Sequence, residues 1–301
     1  MCEAGPELFD LDRWMRMFPL EAVPKRARNG FLIVGPRDMA YLEQVRAQLS
    51  LQQVPPQSVP VDAFVFAIGE PPFRHVTKIG GVPYRPAHEP WPTTPSGKPM
   101  TFLAQFCFAE SRDIVGDTPG DVLLMFVEDS SSVLSRTKET VWFEWRPVGL
   151  IELIQPRNVP TPDWEFVACY GVRHRTVDYA RPFPVADLGR VIPRNIVKSR
   201  RLERFTEQVS RIWGTKIRGI PAEPDWDEDR RPDAPPGRFL CSIAAIAPLA
   251  DTSYPWVNQP DSLSSSDSRA RTANLDFSDG FIINIYLDDA GETHFRFLLK
   301  R

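Results

Sequence analysis

The residues in this chain with chemistry to offer are few and scattered. Lys78 stands two residues before Gly80-Gly81. Successive glycines let backbone N–H groups converge into an anion-binding nest, and a lysine beside them adds a full positive charge. The same residues make a tight turn that needs positive φ, with Lys78 solvated, and no phosphate-loop pattern surrounds them. Trp91 and Gln105 form a second pair, since a tryptophan and an amide are common in ligand grooves. Packing gives each a simpler role, Trp91 stapling its loop and Gln105 bonding the backbone. Lys78, Gly80, Gly81, Trp91 and Gln105 are the candidate ligand-binding residues.

No catalytic set emerges. Cys169 and His174 raise a thiol nucleophile, but a strand and its exit do not bring them together and no orienting carboxylate is identifiable. His75, His88, His174 and His294 are isolated, without HExxH or CxxC spacing, so the sequence assigns no metal site and no cofactor. Glu128-Asp129 and Asp288-Asp289 end apolar runs and read as turn residues rather than as an acid and base.

Basic residues cluster from Arg190 to Arg218: Arg190, Arg194, Lys198, Arg200, Arg201, Arg204, Arg211, Lys216 and Arg218, against Glu203 and Glu207. Sparse aromatic interleaving argues against nucleic acid. An acidic run, Asp225 to Asp229, comes next, and a two-signed surface of this kind suits steering of a protein partner. Arg200, Arg201 and Arg204 are the candidate partner-binding residues.

These groups must be positioned by a β-rich frame. The chain has 301 residues, enough to bury a core without disulfides or metal. Its net charge of −3 marks neither an overall polyanion binder nor an acidic tail. The 31 prolines are scattered between apolar runs and predict many irregular connections. Leu8, Leu11, Met15 and Phe18 predict a short helix, and Met39, Leu42, Val45 and Leu49 another. Strands are predicted at Phe31–Val34, Ala63–Ile68, Thr101–Phe108, Val122–Val127, Val141–Trp145, Leu150–Ile154 and Phe166–Tyr170. Val122–Val127 is apolar on both faces, as a central strand would be. Leu202, Phe205, Val209 and Ile212 share a helix face, followed by strands at Phe239–Ile243, Phe281–Leu287 and His294–Leu299. Short strands at this spacing argue for antiparallel pairing. Asp261–Thr272 is Ser-rich and reads as a mobile loop.

An internal repeat runs through this frame. Thr77-Lys-Ile-Gly-Gly-Val-Pro83 and Thr215-Lys-Ile-Arg-Gly-Ile-Pro221 agree at five of seven positions, a match expected roughly once by chance. Three later blocks that recur in the same order make the case. Phe102-Leu103 matches Phe239-Leu240, Gly120–Asp129 matches Gly280–Asp289 in pattern, and Trp142–Trp145 matches His294–Phe297. Two diverged copies, at about 75–146 and 213–299, are the reading this shared order supports.

The first copy carries Lys78, Gly80, Gly81, Pro83, Pro86, Trp91, Pro92, Gly97, Pro99 and Phe102-Leu-Ala-Gln105, a pattern that resembles the YwqG-like family of bacterial proteins. The segment Tyr254-Pro255 with Gln259 is similar to that family's later YP…Q stretch. The second copy departs from it, with Arg218 in place of the first glycine and the acidic run in place of the Trp-Pro loop. The resemblance implies an α+β fold with much antiparallel sheet and no established catalytic residues. Bacterial proteins that resemble this family are often encoded near secreted-toxin loci, which implies an immunity role.

The expectation is thus an α+β protein, mostly antiparallel sheet with a few helices, in two pseudo-repeated halves. Residues 1–62 form an N-terminal extension packed on the core, and 63–301 the YwqG-like domain. The expected function is a non-catalytic binding or regulatory protein acting on a protein partner, in its specific form an immunity protein against a toxin. The alternative is a small-ligand binder or enzyme using a cleft between the halves. Cys2, Cys107, Cys169 and Cys241 are far apart and mostly in apolar runs, as reduced thiols of a cytoplasmic protein would be, and neither a signal peptide nor a membrane span is read.

Overall fold

The structure is a computed structural model and describes residues 9–17, 35–51, 57–128, 141–161, 167–191, 202–222, 237–245, 256–258 and 280–299. The predicted strand at 31–34, the acidic run 225–229, the Ser-rich segment 261–272 and residues 254, 255 and 259 lie outside them. The elements in chain order are α1 (Leu11–Met17), α2 (Pro36–Ser50), β1 (Ser58–Ile68), β2 (Lys78–Ile79), β3 (Thr101–Cys107), α3 (Arg112–Val115), β4 (Val122–Val127), β5 (Val141–Arg146), β6 (Cys169–Tyr179), α4 (Val185–Val191), α5 (Leu202–Ser210), β7 (Lys216–Arg218), β8 (Arg238–Ala244), β9 (Gly280–Leu287) and β10 (Thr293–Leu299).

All ten strands form one sheet in the order β10–β9–β8–β7–β1–β6–β2–β3–β4–β5, every neighbouring pair antiparallel. Its centre is the long β1–β6 pair, in register from Ser58 opposite Tyr179 to Ile68 opposite Cys169. The sheet curls until its edges meet. Trp145 Nε1 on β5 donates to Thr293 Oγ1 on β10 at 3.0 Å, and the Phe143 and Phe295 rings are 6.2 Å apart. A sheet that folds back on itself in this way covers its own edges.

Alternation decides which residue fills which layer. Phe64 and Phe66 of β1 point into the curl and pack with Leu103, Phe106, Leu123, Met125, Leu240, Ile243, Ile283 and Ile285. Val61, Ala63, Val65 and Ala67 point outward and are covered by Met39, Leu42, Val45 and Leu49 of α2 with Phe205 and Val209 of α5. Complete burial of an aliphatic side chain contributes about 1.5–3 kcal/mol, so this helical layer is a major part of the fold. β4 is buried at every residue, Leu123, Met125 and Val127 inward and Val122, Leu124 and Phe126 outward beneath Tyr84 and Trp91.

Three elements differ from the sequence expectation. Residues 150–154 make a single bridge, Leu153 opposite Pro86, because this segment pins the loop at 85–87 and leaves Ile151 exposed. β6 runs on to Tyr179 where only its first residues were predicted; its Arg173 and Arg175 are charged and hide the apolar pattern. β1 runs unbroken through residue 62, so the segment before that position supplies part of a central strand.

Candidate functional site

The Gly80-Gly81 turn and Lys78 sit where β2 ends, between β3 and β6. Gly80 and Gly81 have φ of 64° and 71°, values that favour glycine. Lys78 is buried, not solvated. Its Nζ donates to Glu70 Oε2 at 2.9 Å and to the Val82 carbonyl. Glu70 Oε1 accepts the Val82 N–H at 2.9 Å, and a Cβ at Gly81 would overlap that oxygen. The anion at this turn is therefore the chain's own carboxylate. Burial pushes the Lys78 amine below its ordinary range, and Glu70 opposes that shift.

A like arrangement is built around Lys216 on β7. Its Nζ donates to Asp178 Oδ2 at 2.7 Å and to the Ile220 carbonyl at 2.5 Å. The carboxylate also accepts the N–H of Ile220 at 2.8 Å and of Ile212 at 2.7 Å. Both residues of this pair are fully buried, whereas Glu70 is 43% exposed. Burial again pushes the lysine down, and Asp178 holds it up.

Gln105 is fully buried, and both ends of its amide are used. Its Oε1 accepts the Tyr84 N–H at 2.9 Å, while Nε2 donates to the carbonyls of Arg74 at 2.7 Å and Val76 at 2.8 Å. Trp91 lies edge-on to Phe126 at 5.3 Å and donates Nε1–H to the Met100 carbonyl at 2.7 Å. Arg85, paired with Glu144 at 2.8 Å, stands over its ring. Lys78, Gly80, Gly81 and Gln105 are thus brought together around β2, and Trp91 packs on the outer face of β4, fastening the Pro-rich loop.

The basic cluster does not form one solvent face. Lys216 is buried, Arg211 bonds Glu207 and the Ala180 carbonyl, and Arg218 turns toward α3. Arg190 is 70% exposed beside Asp187. Arg204 lies in the first turn of α5, and Arg200 and Arg201 lie outside the described residues.

The end of the curl near α3 carries a charged network that sequence reading missed. Asp62, buried in β1, accepts Ser111 Oγ–H at 2.5 Å and a two-pronged contact from Arg175, which also grips Asp113 at 2.5 and 3.0 Å. Its partners are about 50 and 113 positions away in sequence, which no local pattern reveals. Arg218 donates to the carbonyls of Ile114 at 3.0 Å and Phe239 at 2.7 Å, and Arg238 to those of Val115 and Asp117. Together they tie α3 to β6, β7 and β8.

The remaining reactive groups have structural surroundings. Burial pushes the Cys169 and Cys241 thiols well above their ordinary range, away from thiolate character. His174 lies 3.7 Å from Glu43 on α2. Asp288, Glu292 and His294 stand within 4.8 Å of one another at the β9–β10 turn, with Asp288 accepting the N–H groups of Ala290 and Glu292. The carboxylate that ends β9 is thus a turn residue, though the sequence did not show that its neighbours converge on it.

Among the described residues, no helix is long and apolar enough to cross a membrane. No curated protein matches the chain. A family model described as a domain of unknown function, DUF1963, matches residues 77–145, the stretch from the Lys78 turn through β5.

Proposed function

We propose that this chain is a non-catalytic binding or regulatory protein that acts through contact with another protein, and that its specific form is an immunity protein against a bacterial toxin. The observation that carries the reading is how the reactive groups are used. Lys78, Gln105, Lys216 and Asp178 are all buried and bonded within the chain. Freeing any of them for a substrate would orphan a buried polar group, at about 1–3 kcal/mol each. The alternative, a ligand or substrate in a cleft between the halves, asks for that cost at Lys78 and Gln105. Partner contact falls instead to Arg200, Arg201 and Arg204, in a basic stretch with an acidic run after it. Cys169 and Cys241 form no disulfide among the described residues, in keeping with a reducing, cytoplasmic site of action.

The YwqG-like assignment and the duplication belong to the same proposal. The DUF1963 match covers the block on which the resemblance rests. Support for two diverged copies comes from paired details. Lys78 and Lys216 each bond a carboxylate and the carbonyl four residues on. Thr77 Oγ1 accepts the Cys107 N–H and Thr215 Oγ1 the Ala244 N–H. Gly171 N–H bonds the Thr77 carbonyl at 2.8 Å, and Phe64 N–H the Thr215 carbonyl at 3.0 Å. In this reading the lysine strand of each copy pairs with a long strand from outside the copies, β2 with β6 and β7 with β1.

The test is crosslinked co-purification of the tagged full chain from its native host. A stoichiometric protein partner, a toxin in the specific form, is the expected result. A chain recovered alone from crosslinked cells overturns the reading.

A further inference from the structure

Arg218 and Arg238 are unlike the arginines beside them. Arg175 is neutralised by Asp62 and Asp113, and Arg173 by Asp62 and Glu110. Among the described residues, Arg218 and Arg238 bond only carbonyl oxygens, and no carboxylate lies within 4.0 Å of either. Burial, and then repulsion from the neighbouring Arg238, push the Arg218 guanidinium below its ordinary range. Arg218 also has a φ of 59°, and no other described residue besides glycine has a positive φ. Its counterpart in the first heptad is Gly80. A left-handed backbone at a non-glycine residue is strained, and such residues cluster at ligand clamps and other functional sites.

We propose that Arg218 and Arg238 form a binding site for a tetrahedral oxyanion, phosphate or a phosphomonoester, at the end of the curled sheet that α3 covers. The carbonyls of Ile114, Val115, Asp117 and Phe239 fix the two guanidiniums in place and bring no negative charge of their own. Arg218 Nη2 and Arg238 Nε are left without a hydrogen bond among the described residues, and both arginines are half-buried. Two preorganised guanidiniums that no carboxylate among the described residues neutralises suit an oxyanion, because each retains a planar N–H donor and a full charge. The site is independent of the protein-partner reading and asks nothing of Arg200, Arg201 or Arg204.

The test uses the full chain with inorganic phosphate, and with a simple phosphomonoester such as phenyl phosphate to separate the two sources. Phosphate should raise the thermal midpoint saturably, beyond chloride at matched ionic strength. It should also broaden the ³¹P resonance of the ligand with the unmodified protein. Arg218→Gly keeps the left-handed backbone and Arg238→Gln keeps the side-chain length. Each should weaken phosphate about tenfold or more, since a charge-assisted hydrogen bond is worth about 1.5–3 kcal/mol. Equal effects of phosphate and chloride with an unchanged ³¹P line, or folded variants that bind phosphate as the parent does, overturn the proposal.

Discussion

Replacing Asp178 by alanine tests the physical account at its most demanding point. The carboxylate is fully buried and holds three donors: Lys216 Nζ, the Ile220 N–H and the Ile212 N–H. Removing it leaves a buried ammonium without its counter-ion, which costs about 3–5 kcal/mol where measured in other proteins. It also orphans two N–H groups at about 1–3 kcal/mol each unless water enters. Lys216 can shed part of the loss by deprotonating, since burial already pushes it down. The net expectation is a loss of about 4 kcal/mol or more, a large share of the 5–15 kcal/mol of a typical domain. Glu70→Ala removes the corresponding carboxylate in the first half, but Glu70 is 43% exposed and water can take its place, so the charge-assisted hydrogen bond to Lys78 is discounted to about 1–2 kcal/mol. Asp178→Asn keeps an acceptor and should fall between the two. The assay is the midpoint of denaturant unfolding, converted with a shared slope. Combining Asp178→Asn with Lys216→Met should recover part of the loss, because the unpaired charge goes with the lysine. A cost below about 1 kcal/mol for Asp178→Ala, or a larger cost for Glu70→Ala, refutes the reasoning.

Two further perturbations rest on the same geometry. Gly81→Ala places a Cβ against Glu70 Oε1 at a φ of 71° and should cost at least about 1 kcal/mol in the same unfolding assay. Glu43 is pushed up by burial, but His174, Arg46 and Thr176 outweigh this and hold it below its ordinary value of 4.5. A depressed carboxylate contributes stability in full above its unfolded value, and loses it as pH falls through the folded one. The unfolding midpoint should therefore fall on acidification below about pH 4.5, and Glu43→Gln should flatten that limb.

Where sequence and structure agree, local pattern and burial coincide. Val122–Val127 reads as two-sided because each of its residues meets apolar neighbours, on both sides of the sheet. The helix at 36–50 is legible from Met39, Leu42, Val45 and Leu49, all fully buried. β2 and β7 were not legible as strands, because two or three residues carry no periodicity. Their lysines looked like solvated charges, since the acids that bury them lie 8 and 38 positions away. The signal that could have found them was the shared Thr-Lys-Ile-x-Gly-x-Pro heptad, which sets both lysines at one place in one turn. Gln105 stood out as an amide in an apolar strand for a packing reason, since its three hydrogen bonds close the backbone of the loop before β3. The Asp62–Arg175 pair lay beyond reach, as its members belong to strands that meet only in the folded sheet.

The proposed function rests on contact with a protein partner through the basic stretch. The most direct measurement is the affinity of the full chain for the co-purified partner, beside a variant carrying Arg200→Glu, Arg201→Glu and Arg204→Glu, at low and physiological salt. Binding by the parent should weaken with salt, and the variant should lose about tenfold or more in affinity and show a flattened salt dependence. A folded variant that binds as tightly as the parent, with the same salt dependence, contradicts it.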